Sequence, residues 1–218
     1  MPGPARRDQP DAARPDGEAH RIRETILAST ESLLGRRRFT EITVAGILHE
    51  AHVSRASFYF YFDGKHAVLA ELARRAVAEG HDAASRWVDR PDADDPVAAL
   101  RRSTLDGAAV WKAHGPVLRS VAEHWREDDR LSRLWAELMK TYTDAAVARV
   151  GRDRESGLAP ATDADTDVVC SALTWMTERC LYLAAIGVPP FDDEEAAGRA
   201  LVHIWTAALY GFPGPSCR

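Results

Sequence analysis

Between Thr43 and Lys65 the chain reads TVAGILHEAHVSRASFYFYFDGK, two helical segments of about two turns each, joined by a turn of three to four residues. Helices this short are marginal alone in water, so both must be held by a shared core. Thr43 and Ser54 stand where N-caps are needed, Thr40 offers another, and Asp63-Gly64 breaks the chain before a long helix. Val44, Ile47, Leu48, Ala51, Val53, Phe58 and Phe62 can turn inward together with Ile22, Ile26, Leu33, Leu69 and Leu72. Arg55, Ala56, Ser57, Tyr59, Phe60 and Tyr61 are then crowded onto the outside of the second helix. This is the helix-turn-helix pattern, in which hydroxyls and a guanidinium on the second helix can donate to phosphates and base edges in a major groove. Lys65, just past the break, can meet a phosphate near a helix N-terminus. Taken alone, these residues also fit a mixed surface on an ordinary helical domain.

The rest of the chain continues the helical pattern. Residues 1–18 hold four prolines, two glycines and almost nothing apolar, and read as a disordered tail. A first helix runs from about His20 to Gly35, and the long fourth helix from about Lys65 to Trp87. Breaks at Pro91 to Pro96, Gly115-Pro116, Asp128-Asp129, Gly157 to Pro160 and Gly187 to Pro190 separate further helical segments, with no alternating strand pattern. The expected fold is all-α, with about nine helices. A three-helix helix-turn-helix domain over residues 19–79 precedes a larger helical domain over 80–218. Apolar residues make up 45% and charged residues 28%, inside the globular range. No apolar run reaches the ~20 residues of a membrane span, and the first 20 residues lack a signal-peptide block, so a soluble cytoplasmic protein is expected. Cys170, Cys180 and Cys217 lack zinc-type spacing and read as ordinary thiols; neither a metal nor a cofactor is expected.

The formal net charge of −5 is unevenly placed. Residues 21–65 carry seven basic against five acidic side chains, whereas residues 66–218 carry 18 against 24. An acidic protein thus has a basic tip, where a polyanion would bind.

In the larger half, Trp111, Trp135 and Trp205 fall on three different helical segments. Trp135, Met139 and Tyr142 share one helix face, and Thr174, Thr177 and Glu178 share another. They can line an apolar cavity with few polar groups, as small-molecule sites do, or simply fill a core. The last two helices, about Thr162 to Ile186 and Asp193 to Tyr210, are apolar on more than one face. Val168, Leu173, Leu181, Leu183 and Ile186, with Leu201, Ile204, Ala208 and Leu209, exceed what one core needs and suit pairing with a second copy. An internal helix pair in a monomer is the alternative. His114, Glu123, His124, Glu178 and His203 are acid–base candidates, but no nucleophile elbow, phosphate loop, metal pair or dinucleotide fingerprint accompanies them, so an enzyme is not expected.

The run VSRASFYFYFDGKHAVLAEL resembles, nearly position by position, the DNA-binding segment of the TetR family of bacterial repressors. LWAELM, MTERCLY and LVHIWTAALYG, in that order, are similar to the mycobacterial EthR-like branch. The resemblance implies DNA contacts at Thr43, Ser54, Arg55, Ala56, Ser57, Tyr59, Tyr61 and Lys65. It implies a homodimer through the last two helices, bound to a palindromic double-stranded operator and released by a small apolar or amphipathic ligand. Ligand contacts fall on Gly107, Trp111, Trp135, Met139, Tyr142, Thr174, Thr177, Glu178, Tyr182 and Trp205. A regulator controlled by a protein partner, with a collapsed cavity, is the alternative. Two departures stand out. His52 occupies a turn position where the family usually has Gly, which calls for a positive φ at a cost of about 1 kcal/mol. Thr174 and Thr177 replace two Asn of the EthR-like branch, which implies a different polar preference in the cavity.

Overall fold

The computed structural model describes residues 15–211. Among them are nine α-helices: α1 Pro15–Leu34, α2 Val44–Ala51, α3 Arg55–Tyr61, α4 Lys65–Val88, α5 Pro96–Ala113, α6 Gly115–His124, α7 Asp129–Glu155, α8 Thr166–Ala185 and α9 Glu194–Tyr210. Short 3-10 turns at Phe39–Glu41 and Trp125–Glu127 complete the regular structure, and no strand occurs among the described residues. Residues 15–18 of the expected tail belong to α1; the rest of that tail, and Cys217, lie outside the described residues. None of the described helices is long and apolar enough to cross a membrane.

Local chemistry explains where the helices start. Asp95, Asp128, Asp165 and Asp193 cap α5, α7, α8 and α9 by accepting hydrogen bonds from first-turn amides. A carboxylate there also meets the positive end of the helix dipole. Thr43 Oγ1 accepts from the Gly46 amide at 3.1 Å and Ser54 Oγ from the Ser57 amide at 3.0 Å, which starts the two short helices. His52 ends α2 in the left-handed conformation at φ 52°, so the turn keeps its geometry despite a side chain where glycine would be unstrained.

Two apolar clusters hold these helices together. The first runs from Ile26, Leu27 and Leu34 of α1 through Ile47, Phe58 and Leu69 to Val121, Leu131 and Trp135. It is one continuous core for α1 to α4, α6 and α7. Accordingly, the domain boundary expected at residues 79–80 falls inside α4, which passes unbroken from one half to the other. The second cluster joins Trp87 of α4, Leu100, Ala146, Val150, Cys170, Leu173, Trp205 and Leu209. Burial pushes the Cys170 thiol up to about 11, which suits an inert core residue.

A buried polar network lies beside the second cluster. Asp153 of α7 is fully buried and receives Arg90 Nη2 at 2.5 Å, Arg149 Nε at 3.0 Å and the Tyr210 hydroxyl at 2.7 Å. Arg149 also donates to the Arg90 carbonyl and to Asp92, and Trp87 Nε1 donates to the Tyr210 hydroxyl at 2.8 Å. One carboxylate thereby ties the C-terminal end of α4, the loop after it, α7 and α9. Removing its charge leaves the buried Arg90 guanidinium without a carboxylate and Arg149 with Asp92 alone. Asp153→Asn is therefore expected to cost about 3–5 kcal/mol. By contrast, Lys140→Ala, which breaks only the exposed pair with Asp144, should cost under about 0.5 kcal/mol. Urea unfolding of the two variants against the parent measures both.

Candidate nucleic-acid interface and internal cavity

The reading head is built from α1 to α3 and the first half of α4. Phe58 is fully buried while its neighbours on α3 face out: Arg55 and Ala56 are exposed, Tyr59 is 44% exposed and Phe60 is 79% exposed. Two ion pairs clasp α1 to α4: Arg23 to Glu71 at 2.6 Å, and Arg75 to Glu24 through both guanidinium nitrogens at 2.6 and 2.7 Å. These partners hold both the Glu24 and the Glu71 carboxyls below the usual carboxylate range, for Glu71 against an opposing effect of burial. The head is thus rigidly attached to the helix that leads into the rest of the molecule.

The expected DNA-contact residues divide into three groups. Thr43, Ser54, Arg55, Ala56 and Tyr59 are exposed along one side of α2 and α3. The Arg55 guanidinium lies over the Tyr59 ring at 5.4 Å, an arrangement that keeps both at the surface. Ser57 is half-buried and its hydroxyl shares a 2.8 Å hydrogen bond with that of Ser54. Tyr61 and Lys65 are less open to solvent. Tyr61 is half-buried against the first core, because it faces back along α3 toward the protein. Lys65 Nζ donates to the carbonyls of Phe39 and Ile42 at 2.9 Å each and sits 4.4 Å from the centre of the Phe39 ring. Its first role is to staple the 3-10 turn to α4, with two of three donors occupied. Burial lowers its ammonium pKa, which the Glu127 carboxylate opposes. Phe60, the most exposed aromatic residue of the head, was absent from the expected contacts. Its signal was in the sequence, which already sets it with Tyr59 and Tyr61 on the outside of the second helix.

In the larger half, Gly107 and Trp111 of α5, Trp135, Met139 and Tyr142 of α7, Thr174, Thr177 and Glu178 of α8 and Trp205 of α9 line one cavity of about 170 Å³. Tyr182 does not. One turn beyond Glu178, its hydroxyl donates to Glu123 at 3.1 Å on the outside of the helix pair, and Leu181 takes its place in the lining. Much of one wall comes from α4 itself, through Ala76, Val77, Gly80, Ala83, Ala84, Trp87 and Val88, residues that the sequence reading assigned no ligand role. A Cβ at Gly80 would come 2.5 Å from the Tyr142 hydroxyl, so the phenol could hold its place only beside a glycine. Burial pushes that phenol up to about 12, keeping it neutral. Of the acid–base candidates only Glu178 lines the cavity: His114 pairs with Glu79 at 3.0 Å, and His124 lies 2.8 Å from Glu127 and 3.7 Å from Glu123, away from the lining. No group of His, Cys, Asp and Glu side chains fit to hold a metal ion occurs among the described residues.

The polar groups of the cavity are unequally satisfied. Thr174 donates to the Cys170 carbonyl and Thr177 to the Leu173 carbonyl, each at 2.9 Å, while Trp205 Nε1 donates to the Thr177 hydroxyl at 2.8 Å. Glu178 is only 4% exposed, and neither of its carboxyl oxygens has a hydrogen-bond partner. Burial raises its pKa, a shift the Arg179 guanidinium opposes. Folded Glu178 therefore keeps its proton to higher pH than the ordinary 4.5 of the unfolded chain. The resulting loss of stability begins above that pH and is complete once the raised folded value is passed. Glu178→Gln should melt about 2–4 °C above the parent at pH 8, with the difference shrinking as pH falls toward 4.5. Calorimetric melting across that range checks the sign; a constant difference would mean the carboxyl does not titrate in the fold.

Comparisons with known proteins cover both halves. A family model of bacterial regulatory proteins of the TetR family matches residues 26–72, and a model of the C-terminal domain of the transcriptional regulator EthR matches residues 101–211. The HTH-type transcriptional regulator EthR of Mycolicibacterium smegmatis is 31% identical over 200 residues, covering 92% of this chain and 90% of the relative. EthR of Mycobacterium tuberculosis is 30% identical over 199 residues, 91% of each chain. Among solved structures, the SmeT–triclosan complex superposes with a TM-score of 0.69 at 20% identity, over 88% of this chain and 93% of the other, which places the fold. With the head matching one model and the cavity-bearing half the other, the chain belongs to the TetR family of DNA-binding transcriptional regulators and carries an EthR-type C-terminal domain.

Proposed function

We propose that this chain is a ligand-responsive repressor. A two-fold dimer joined through α8 and α9 sets two α3 helices into successive major grooves of a palindromic operator. A small, mostly apolar ligand in the α4–α9 cavity releases it. The observation that carries the reading is α3 itself. Phe58 anchors one face in the core, and the opposite face offers Arg55, Tyr59 and Phe60 to solvent with no protein partner covering the rings. Exposed aromatics beside a guanidinium suit a polyanion with stacked bases. Thr43 and Ser54 keep hydroxyl groups at the starts of α2 and α3, where phosphate oxygens also meet backbone amides, and Ala56, Ser57, Tyr61 and Lys65 flank that surface. Recognition helices of such dimers meet half-sites about 34–36 Å apart.

Pairing through α8 and α9 is supported by what those helices leave uncovered. Val168 is 64% and Ile204 39% exposed, and Trp175 and Ile186 join them on the outer side, although Cys170, Leu173, Leu201 and Leu209 are buried inward. A helix pair apolar on both sides needs a second surface to cover it. The neighbour crystallised as a triclosan complex supports an apolar aromatic ligand by likeness of fold alone. A cavity of about 170 Å³ favours a ligand over a protein partner acting on a collapsed core.

Two measurements test the reading. In mobility-shift titrations with DNA from the chain's own promoter region, Tyr59→Ala and Arg55→Ala should each weaken binding by about 1–3 kcal/mol. The parent's affinity should also fall steeply with salt. Equal retardation of parent and variants would overturn the DNA-reading assignment. In sedimentation, the parent should run as a dimer and Ile204→Asp should run as a monomer; a parent monomer at micromolar concentration would remove the two-fold model.

A further inference from the structure

Taking the cavity as the ligand site, as proposed above, its polar inventory narrows the ligand chemistry. Thr104, Thr174 and Thr177 each donate to the carbonyl four residues earlier, so their hydroxyl protons are already committed. Glu178 and Tyr142 are the titratable residues of the lining. Glu178 keeps two buried oxygens without a hydrogen bond, and the nearest cation, Arg179 Nε, stands 3.7 Å from Oε2, with its side chain half exposed. On α7, Trp135 Nε1, of another lining residue, is likewise buried without a hydrogen bond.

We propose that the cavity selects ligands joining a compact apolar body to a protonated amine, and that Glu178 is the residue that receives the ammonium. A buried carboxyl left unpaired costs stability, and a cation carried in by the ligand satisfies it with a charge-assisted hydrogen bond. An ammonium has up to three donors, enough for both oxygens. A ligand carboxylate meets the opposite situation, because the lining holds no Lys, Arg or His to receive it. A neutral ligand fills the space and leaves Glu178 as it was. The volume of about 170 Å³ is close to that of engineered cavities that bind benzene, about 150 Å³, so a single aromatic ring with a short chain fits.

The test uses the full chain and three probes of one shape: 4-phenylbutylamine, 4-phenylbutan-1-ol and 4-phenylbutyrate at pH 8. Titration followed by tryptophan fluorescence reads occupancy directly, since Trp111, Trp135 and Trp205 face the cavity. The amine should bind the parent about tenfold or more tightly than the alcohol, with the butyrate weakest. In Glu178→Gln the amine should lose its advantage over the alcohol, with the butyrate still weak because the lining offers it no cation, while the variant's melting curve shows it folded. Amine and alcohol binding the parent alike, an amine preference that survives in Glu178→Gln, or no binding by any probe would each overturn the inference. A parallel mobility-shift assay separates this from the repressor reading. If the alcohol binds as tightly as the amine and releases DNA, the amine chemistry falls and the repressor reading stands. If the amine binds through Glu178 without altering operator affinity, the amine chemistry stands and ligand-driven release falls.

Discussion

The unbroken course of α4 governs everything else in the molecule. Its first half supplies Val68, Leu69, Leu72 and Ala73 to the core under the reading head, and its second half supplies a wall of the cavity from Ala76 to Val88. A helix of 24 residues spans about 36 Å and bends only at a cost, so the two halves share one rigid element. Gly80 illustrates the compromise. A glycine inside an exposed helix weakens it by about 1 kcal/mol, yet here it lets Tyr142 approach the helix backbone and shape the cavity.

Both ends of α4 are fixed by polar clamps rather than by apolar packing alone. At the N-terminal end, Lys65 binds the carbonyls of Phe39 and Ile42 and holds the turn after α1. At the other end, Trp87 donates to Tyr210, which donates to Asp153 at the centre of the arginine network. Hydrogen bonds are directional and short-ranged, so these ends have few alternative arrangements, whereas the apolar wall between them can shift by small amounts. On the proposed reading, a ligand acts on the middle of a rod held at both ends. It changes operator affinity only to the extent that it binds one arrangement of the rod better than the other.

How legible this was in the sequence depends on the range of the interaction concerned. The helix-turn-helix was readable because caps and turn lie within about 20 positions, and the left-handed His52 followed from the family resemblance, in which Gly usually stands there. The cavity was only half readable. Spacing placed Trp135, Met139 and Tyr142 on one face, but could not separate cavity from core, and family resemblance was needed to favour the former. Tyr182 was misplaced because its position one turn after Glu178 does not fix which side a long side chain takes; Glu123 on α6 draws it outward. The Lys65 staple and the Asp153 network were invisible. Apart from Arg149 and Asp153, one turn apart on α7, their partners lie 23 to 123 positions apart, and arginines in a chain with 28 basic residues read as solvated charges until the fold buries them.

The threonines of α8 show how the choice of side chain sets the chemistry of a cavity wall. An asparagine in a helix interior projects an amide with two donors beyond its own backbone, whereas a threonine hydroxyl finds the carbonyl four residues back and turns inward to the helix. Thr174 and Thr177 have done so, and Thr177 further serves as acceptor for Trp205. Neither has a proton left for a guest. Of the polar groups in the lining, the Glu178 carboxyl and the Trp135 indole are the ones buried without a hydrogen bond. An apolar wall could replace both at a gain in stability, so two buried groups without hydrogen bonds are the kind of local inconsistency that proteins carry at sites of function.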